Sequence, residues 1–455
     1  MVKIGLEIHG YINTKEKLFC TCKTVHGLKF AKPNSNICPV CTAQPGSKPL
    51  LPNKAAIDKA IEIALILNCK VKVNSKLIWQ RKHYDWPDLP KGYQNTISGA
   101  HATPLGENGK FLDIRIRECH LEEDPAAWNP KTGEIDYNRS GLPLIEIVTE
   151  PDFSSSSEVV DWLKQLVMTL AYIKAFDKNA GIKADVNISL PELKGARVEV
   201  KNINSLKNIQ TAIESEIKRQ KSDVPKSQET RMFDEAKGAT IKMRSKEQAE
   251  DYRFITEPDL PAIVLGKERV EKLSSSLPET PQEKLQKLIK KYNIEKKYAE
   301  ILTKKLEIAE FFENIINKVN PKLAVQWTTI ELLSVLNYNK KELDEIDISP
   351  EHFIQLLKLV ESKKITELKS KEILRSWKDK SYSPETEIKK HSQISSSSEL
   401  ENICRQVIKE NPKAVEDYKQ GKKESLNFLI GKVMAKTQKR ADFKTAREVL
   451  EKLMR

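Results

Sequence analysis

The sequence predicts an α+β protein, a mixed segment of strands and helices followed by a nearly all-helical one. Two observations carry that prediction. Up to about Gly266, short alternating runs such as Arg197-Val198-Glu199-Val200-Lys201 are punctuated by turns, the pattern of half-buried strands. From about Pro281 to Arg455, apolar residues recur at three- and four-residue spacing, as in Leu285, Leu288 and Ile289, the period of an amphipathic helix. Between the two, Ser274 to Pro281 carries Ser and Pro as a linker does. Three units follow: a mixed body over 1–280, a helical module over 281–395 and a small helical tail over 396–455.

The first strand is Ile4 to His9. Alternation puts Ile4, Leu6 and Ile8 on one face and Glu7 and His9 on the other. Gly106-Glu107-Asn108-Gly109 reads as a tight turn. Ser155 with Glu158, and Ser396 with Glu399, have capping-box spacing and predict helix starts. Asp185, Asn187 and Ser189 share one strand face, as do Arg197, Glu199 and Lys201. Such polar faces line a cleft or form the wet side of an antiparallel sheet, and alternation alone does not choose.

Composition narrows the function. The 455 residues are 31% charged and 39% hydrophobic, an ordinary globular balance. No run reaches the ~18 apolar residues of a membrane span, and no basic leader precedes an apolar core. A soluble, cytoplasmic protein is expected. Seven cysteines are too few for a disulfide scaffold. The 77 Lys and Arg exceed the 64 Asp and Glu, for a net charge of +13. The last 60 residues alone hold 14 basic and 9 acidic side chains. A surplus of that kind favours polyanions, nucleic acid first among them, although a generally lysine-rich composition would produce the same balance.

Four cysteines stand apart. Cys20 and Cys22 are followed, after fifteen residues, by Cys38 and Cys41. Two close pairs joined by a loop can aim four thiolates at one tetrahedral ion, as a structural zinc site requires. The alternative is four buried, inert thiols. Cys69, Cys119 and Cys404 are isolated and read as core residues.

Acidic residues gather around histidine in His120-Leu121-Glu122-Glu123-Asp124, and Glu146 ends another apolar run. Clustered carboxylates suit Mg²⁺, although an acidic surface loop has the same composition. No G-x-x-x-x-G-K-[ST] or G-x-G-x-x-G motif is present, so a nucleotide would be held through its metal rather than by a phosphate-cradling loop. The segment from Arg81 to Gln94 mixes cations, aromatics and prolines; it suits a rigid loop at a phosphate or base, or an ordinary surface loop. There is no G-x-S-x-G and no Gly/Ser-rich amidase segment.

Taken together, these segments resemble a known family, the B subunits of tRNA-dependent amidotransferases. The matching stretches are Ile4 to His9, Cys38 to Cys41, Pro87 to Gln94, His120 to Asp124, Asp136 to Asp152, Val198 to Ser205, Asp251 to Leu260, Asn411 to Tyr418 and Phe428 to Met434. They span nearly the whole chain. The resemblance implies an α/β cradle built on an antiparallel sheet, then two helical modules, the basic tail binding tRNA. It implies ATP-dependent phosphorylation of the side-chain carboxyl of Glu-tRNA(Gln) or Asp-tRNA(Asn), and amidation by ammonia from an amidase partner. The partners would be the A subunit, which is the amidase, and the small C subunit, both of the same complex. ATP, Mg²⁺ and a structural Zn²⁺ on Cys20, Cys22, Cys38 and Cys41 are the implied cofactors.

By matching motif, Glu7, His9, Glu122, Glu123 and Glu146 become the candidate Mg²⁺ and activation site, with His120 and Asp124 in support. Lys82, Tyr84, Lys91 and Thr149 fall in segments resembling the transfer site and tunnel mouth. Asp185, Asn187, Ser189, Glu199, Lys201 and Asn202 would line the same cradle. Three residues depart from the family pattern: Lys183 where Arg is common, Lys439 where Gly is usual and Phe443 where Pro is usual. A competing reading is a zinc-containing tRNA-binding scaffold without chemistry, which the grouped acids argue against.

Overall fold

A computed structural model describes residues 2–24, 31–99, 102–177, 181–245, 253–387, 397–422 and 424–454. Ser396, Asp251 and Tyr252, singled out in the sequence, lie outside the described residues. The chain divides into two compact units, Met1–Thr280 and Pro281–Arg455.

In the first unit the strands are β1 (Lys3–Tyr11), β2 (Lys70–Val71), β3 (Lys76–Leu77), β4 (Gln80–His83), β5 (Tyr93–Thr96), β6 (Gly106–Phe111), β7 (Ile114–Glu123) and β8 (Ala127–Trp128). They continue as β9 (Ile135–Asp136), β10 (Pro143–Thr149), β11 (Ile182–Ser189), β12 (Val198–Asn204), β13 (Glu229–Asp234), β14 (Ala239–Ser245), β15 (Ile255–Thr256) and β16 (Ile263–Val264). Helices α1 (Lys54–Ile66), α2 (Ser156–Tyr172), α3 (Leu206–Ser222) and α4 (Lys267–Ser276) lie among them. Twelve strands form one sheet in the order β14-β13-β12-β11-β1-β10-β7-β5-β4-β15, with β6 on β7 and β2 on β6. The antiparallel sheet implied by the resemblance is in fact mixed, because β12 and β13 run parallel. Helix α3 joins that pair, as a parallel pair requires a crossover.

Period-two alternation decides what each face of this sheet does. Ile4, Leu6 and Ile8 of β1 are fully buried, with Ile145 and Ile147 from β10 and Val186 and Ile188 from β11. Residues of α1, α2 and α3 belong to the same apolar core. The opposite face carries the polar set. Gly10 has to be glycine, since a Cβ there would stand 1.7 Å from a ring carbon of Phe176. At the start of α2, Ser155 accepts from Glu158 N, while the Glu158 carboxylate reaches Ser154 N rather than Ser155 N. The capping box is thus displaced by one residue.

Two local expectations are corrected. Gly106 to Gly109 is strand β6, not a turn. Cβ atoms at Gly106 and Gly109 would press on Cys69, so these glycines make room for a neighbour. The linker begins later than expected, because Ser274 to Ser276 complete α4. Ser275 and Ser276 bond back to the carbonyls of Lys272 and Leu273, which lets serine finish a helix.

The second unit is helical and has two apolar cores, one from Leu288 to Trp377 and one from Leu400 to Met454. Lys439 takes φ +62°, a left-handed backbone that glycine adopts without strain. The turn is held instead by contacts: Lys439 pairs with Glu372, and Thr366 Oγ1 donates to the Lys439 carbonyl at 2.7 Å. Phe443 opens the last helix and is half exposed.

Candidate active site

Strand order places the candidate residues. On the polar face His9 is in register with Glu146 of β10, and Glu146 with His120 of β7. On the other side of β1, Glu7 is in register with Asp185 of β11, and Asn187 with Glu199 of β12. Residues far apart in sequence therefore meet across neighbouring strands.

They meet as two groups. In the first, Oε2 of Glu146 lies 3.3 Å from Nε2 of His9 and 3.3 Å from Nε2 of His120. Oε1 of Glu122 is 3.8 Å from His9 Nε2. His9, Glu122 and Glu146 offer ligand atoms within 4.8 Å of one another. In the second, Glu7, Asp185 and Glu199 do the same. Asn187 Nδ2 donates to Glu7 Oε1 at 3.0 Å, and Lys201 Nζ stands 3.6 Å from Glu199 and 3.8 Å from Asp185. The single acidic site expected from the motifs is thus divided, with Glu7 in one group and His9, Glu122 and Glu146 in the other.

Charge in these groups follows from burial and neighbours. Burial raises the Glu122 carboxyl, and Glu146 raises it further. Burial also raises Glu7, with Glu146, Asp185 and Glu199 adding to it. Burial works against the His9 imidazolium, yet the Glu146 hydrogen bond and the charges of Glu146, Glu122 and Asp185 hold it up to about 9. His120 is raised in the same way, burial opposing and Glu146 prevailing. Burial would raise Glu146 too, but the two imidazoles keep it well below the usual carboxylate range. Among the described residues, Glu122 Oε2, His120 Nδ1 and Asn187 Oδ1 are buried without a hydrogen-bond partner. A cation beside Glu122 would satisfy that oxygen. The all-oxygen trio of Glu7, Asp185 and Glu199 fits a hard divalent ion, and the imidazole in the other trio also admits softer metals.

The remaining candidates are placed as follows. Glu123 is on the opposite side of β7 from Glu122; it pairs with Lys91 and accepts from Asn95 N at 2.9 Å. The Lys91 ammonium also lies 5.1 Å from the Tyr93 ring centroid. Asp124 accepts from Tyr11 OH at 2.7 Å and forms an ion pair with Arg139, whose Nε lies 3.2 Å away, a network that motif reading did not anticipate. Tyr84 is driven well up by burial, then by Asp88, Glu122, Asp124 and Glu123. Lys82, on β4, exerts its charge on Glu122. The Thr149 hydroxyl accepts from Leu6 N at 2.9 Å, which ties β10 to β1. Ser189 lies at the far end of β11, opposite Lys3, and Asn202 is within β12. Burial lowers the Lys183 ammonium, whose strand position faces His9.

Cys20, Cys22, Cys38 and Cys41 bring their sulfurs within 4.8 Å of one another, a group able to hold a metal. A hydrogen bond from Cys20 brings the Cys41 thiol down to about 5, and the same bond with burial drives Cys20 up. A cavity of about 90 Å³ is lined by Phe19, Cys20, Cys41, Lys91, Tyr93 and Glu123. Cys69, Cys119 and Cys404 are buried in the cores.

The family described as the GatB/GatE catalytic domain matches residues 2–271, and the GatB domain matches residues 310–454. The chain belongs to the GatB family. A relative from Methanocaldococcus jannaschii, a B subunit of aspartyl/glutamyl-tRNA(Asn/Gln) amidotransferase, is 44% identical over 99% of this chain and 97% of its own length. The protein of the same name from Methanopyrus kandleri is 44% identical over 97% of this chain and 96% of its own. One from Methanococcus maripaludis strain C6 is 42% identical over 99% and 98%. Both groups and the cysteine group of this GatB-family chain lie inside the catalytic-domain match. Among the described residues no helix is long and apolar enough to cross a membrane.

Proposed function

We propose that this chain is the activating member of a glutamine-dependent tRNA amidotransferase, acting in the cytoplasm with an amidase partner and a small third protein. The substrates are Glu-tRNA(Gln), Asp-tRNA(Asn) or both. A side-chain carboxylate oxygen attacks the γ-phosphorus of ATP, giving an acyl phosphate and ADP. Ammonia from the amidase then attacks the acyl carbon, phosphate leaves, and nitrogen sheds a proton to give the amide. The observation that carries this reading is the pair of three-residue groups at neighbouring positions of β1, in a chain of the GatB family.

Phosphoryl transfer asks mainly for charge neutralisation and positioning. His9, Glu122 and Glu146, with Glu7, Asp185 and Glu199 beside them, would hold Mg²⁺, which when bound supplies positive charge against the phosphates. The chain's own part is to fix those groups: Glu146 orients both imidazoles, and Asn187 orients Glu7. The four cysteines would hold a structural Zn²⁺, and the basic tail would grip tRNA.

The test is to purify the chain with both partners and measure ATP- and glutamine-dependent conversion of each aminoacyl-tRNA. Glu122→Gln should lower turnover by about 100-fold or more while tRNA still binds. A variant equal to wild type would remove Glu122 from the site. Wild type that binds tRNA tightly but converts neither substrate would identify a scaffold. Metal analysis of wild type against Cys20→Ser should show zinc present in the first and lost in the second.

A further inference from the structure

Two lysines among the described residues are buried, and their surroundings differ. Lys284 pairs with Glu313 at 2.5 Å. Lys17 is 1% exposed, and among the described residues no carboxylate pairs with it. Its ammonium donates to one main-chain oxygen, that of Tyr137, at 3.1 Å. A buried charge without a counter-charge is costly. The place of Lys17 in the fold supplies the missing partner. Lys17 N donates to the Cys22 carbonyl at 2.9 Å, and Leu18 N to the Gly141 carbonyl at 2.8 Å. Ser140 Oγ donates to the Cys41 carbonyl at 2.8 Å. A Cβ placed on Gly141 would lie 3.8 Å from Cys41 Cβ and 3.8 Å from Lys17 Cδ. The lysine stem and the Cys41 side chain therefore flank one point beside Gly141, and the other three cysteine sulfurs lie within 4.8 Å of that of Cys41.

We infer that Lys17 is the fixed cation that offsets the charge of a metal held by Cys20, Cys22, Cys38 and Cys41, an assignment that rests on the metal reading of those cysteines. Four thiolates on a divalent ion leave two negative charges in excess. Cys20 and Cys41 are buried, and Cys22 and Cys38 half-buried, so water and salt screen that excess little. An ammonium fixed inside the protein then acts more strongly than one at the surface. Other cations near the group are paired or solvated. Lys91 pairs with Glu123, Lys48 with Asp259 and Arg139 with Asp124, while Lys23 and Lys32 are exposed. The Cys41 sulfur also accepts from Cys38 N at 3.2 Å. Its thiol, brought down first by the Cys20 hydrogen bond, is lowered further by the Lys17 charge.

The ammonium is closed in between two segments. Asn34 N donates to Asp136 Oδ1 at 2.9 Å, and Asn34 Oδ1 accepts from Tyr137 N at 2.7 Å. Asn36 N donates to Asn138 Oδ1 at 2.8 Å. These bonds hold the stretch between the two cysteine pairs against the stretch that carries Tyr137. A charge and a simple donor differ in what could replace them. A glutamine amide can donate to the Tyr137 carbonyl but offsets no thiolate, whereas arginine keeps both the donor and the charge.

The experiment uses the full chain purified with both partners and measures the Kd for Zn²⁺ by competition with a chromophoric chelator. Lys17→Met and Lys17→Gln should each weaken zinc binding by about 10- to 100-fold. Lys17→Arg should stay within about threefold of wild type. With excess chelator the urea midpoints of wild type and Lys17→Gln should coincide, and added zinc should raise that of the variant less. Lys17→Gln binding zinc as tightly as wild type overturns the assignment and leaves Lys17 a donor to Tyr137. Lys17→Arg as weak as Lys17→Met overturns it as well. Midpoints lowered equally with and without zinc, at an unchanged Kd, mark a packing residue and also overturn it. If Lys17→Met does not fold, Lys17→Gln and Lys17→Arg decide the matter. Wild type that takes up no zinc defeats the metal reading of the cysteines and this assignment with it, whereas conversion of aminoacyl-tRNA by the same preparation would leave the activating role standing.

Discussion

Two buried glutamates of the first unit face opposite demands. Glu216, on α3, is completely buried and completely matched. Its Oε1 accepts from Arg219 Nη2 at 2.7 Å and Gln220 Nε2 at 2.9 Å, and its Oε2 from Thr240 Oγ1 at 2.5 Å, with Arg231 Nε 3.6 Å away. Glu122, on β7, is almost as buried, yet its Oε2 has no hydrogen-bond partner and His9 stands 3.8 Å from its other oxygen. A protein using a carboxylate for stability satisfies both oxygens, because an unmatched buried charge is expensive. One that leaves an oxygen unmatched holds it for something that arrives later. Burial alone would rank the two alike; hydrogen-bond accounting separates them.

Breaking each side should therefore give opposite results. Glu216→Ala leaves Arg219 and Arg231 without their shared carboxylate and should cost about 4 kcal/mol of stability, read by urea denaturation, with turnover per folded complex unchanged. A cost below about 1 kcal/mol would show that the network is ornamental. A smaller effect is expected from pH. His9 is held up to about 9, above its ordinary value of 6.5. Its contribution is therefore fully present below pH 6.5, where folded and unfolded chains both carry the proton. It fades as pH rises through about 9 and the folded chain loses the proton. With chelator present, wild type should exceed His9→Gln by up to about 3 kcal/mol near pH ~6, and the two should converge by about pH 10. Parallel curves would mean that His9 is neutral in the folded protein. Added Mg²⁺ should act with the opposite slope, stabilising more as pH rises, because ligation needs the neutral ring.

Much of this site was legible, and what was not has a physical reason. Alternation in Ile4 to His9 already put Glu7 and His9 opposite the apolar face, and β1 follows it. The same rule applied to His120 through Glu123 would have sent Glu123 away from Glu122; reading three consecutive acids as one cluster ignored it. Partition into two groups lay beyond any local pattern. Glu7 meets Asp185 and Glu199 because β11 and β12 flank β1 on one side while β10 and β7 flank it on the other. Strand order is set by packing over the whole unit. Gly106 to Gly109 failed for a related reason: two glycines that look like a turn are there to let Cys69 approach. The network of Asp124, Tyr11 and Arg139 joins three segments whose motifs gave no sign of contact.

The smallest expected effect sharpens the comparison most. Glu122→Gln keeps the shape of the side chain and removes its charge. Burial and Glu146 both raise the Glu122 carboxyl, so at neutral pH the ionised form is a burden that folding must carry. An amide relieves it. What is lost is the attraction to the charges of Lys82, His9 and His120, His9 standing 3.8 Å away. Glu122→Gln should therefore leave stability unchanged or raise it by about 1 kcal/mol, measured by urea denaturation at neutral pH with chelator present, in the same variant whose turnover collapses. A variant destabilised as heavily as Glu216→Ala would show that Glu122 is a structural charge after all, and the unmatched oxygen would lose its meaning. Stability kept and catalysis lost, in one substitution, would place Glu122 among the residues whose burial the fold tolerates for the sake of what they bind.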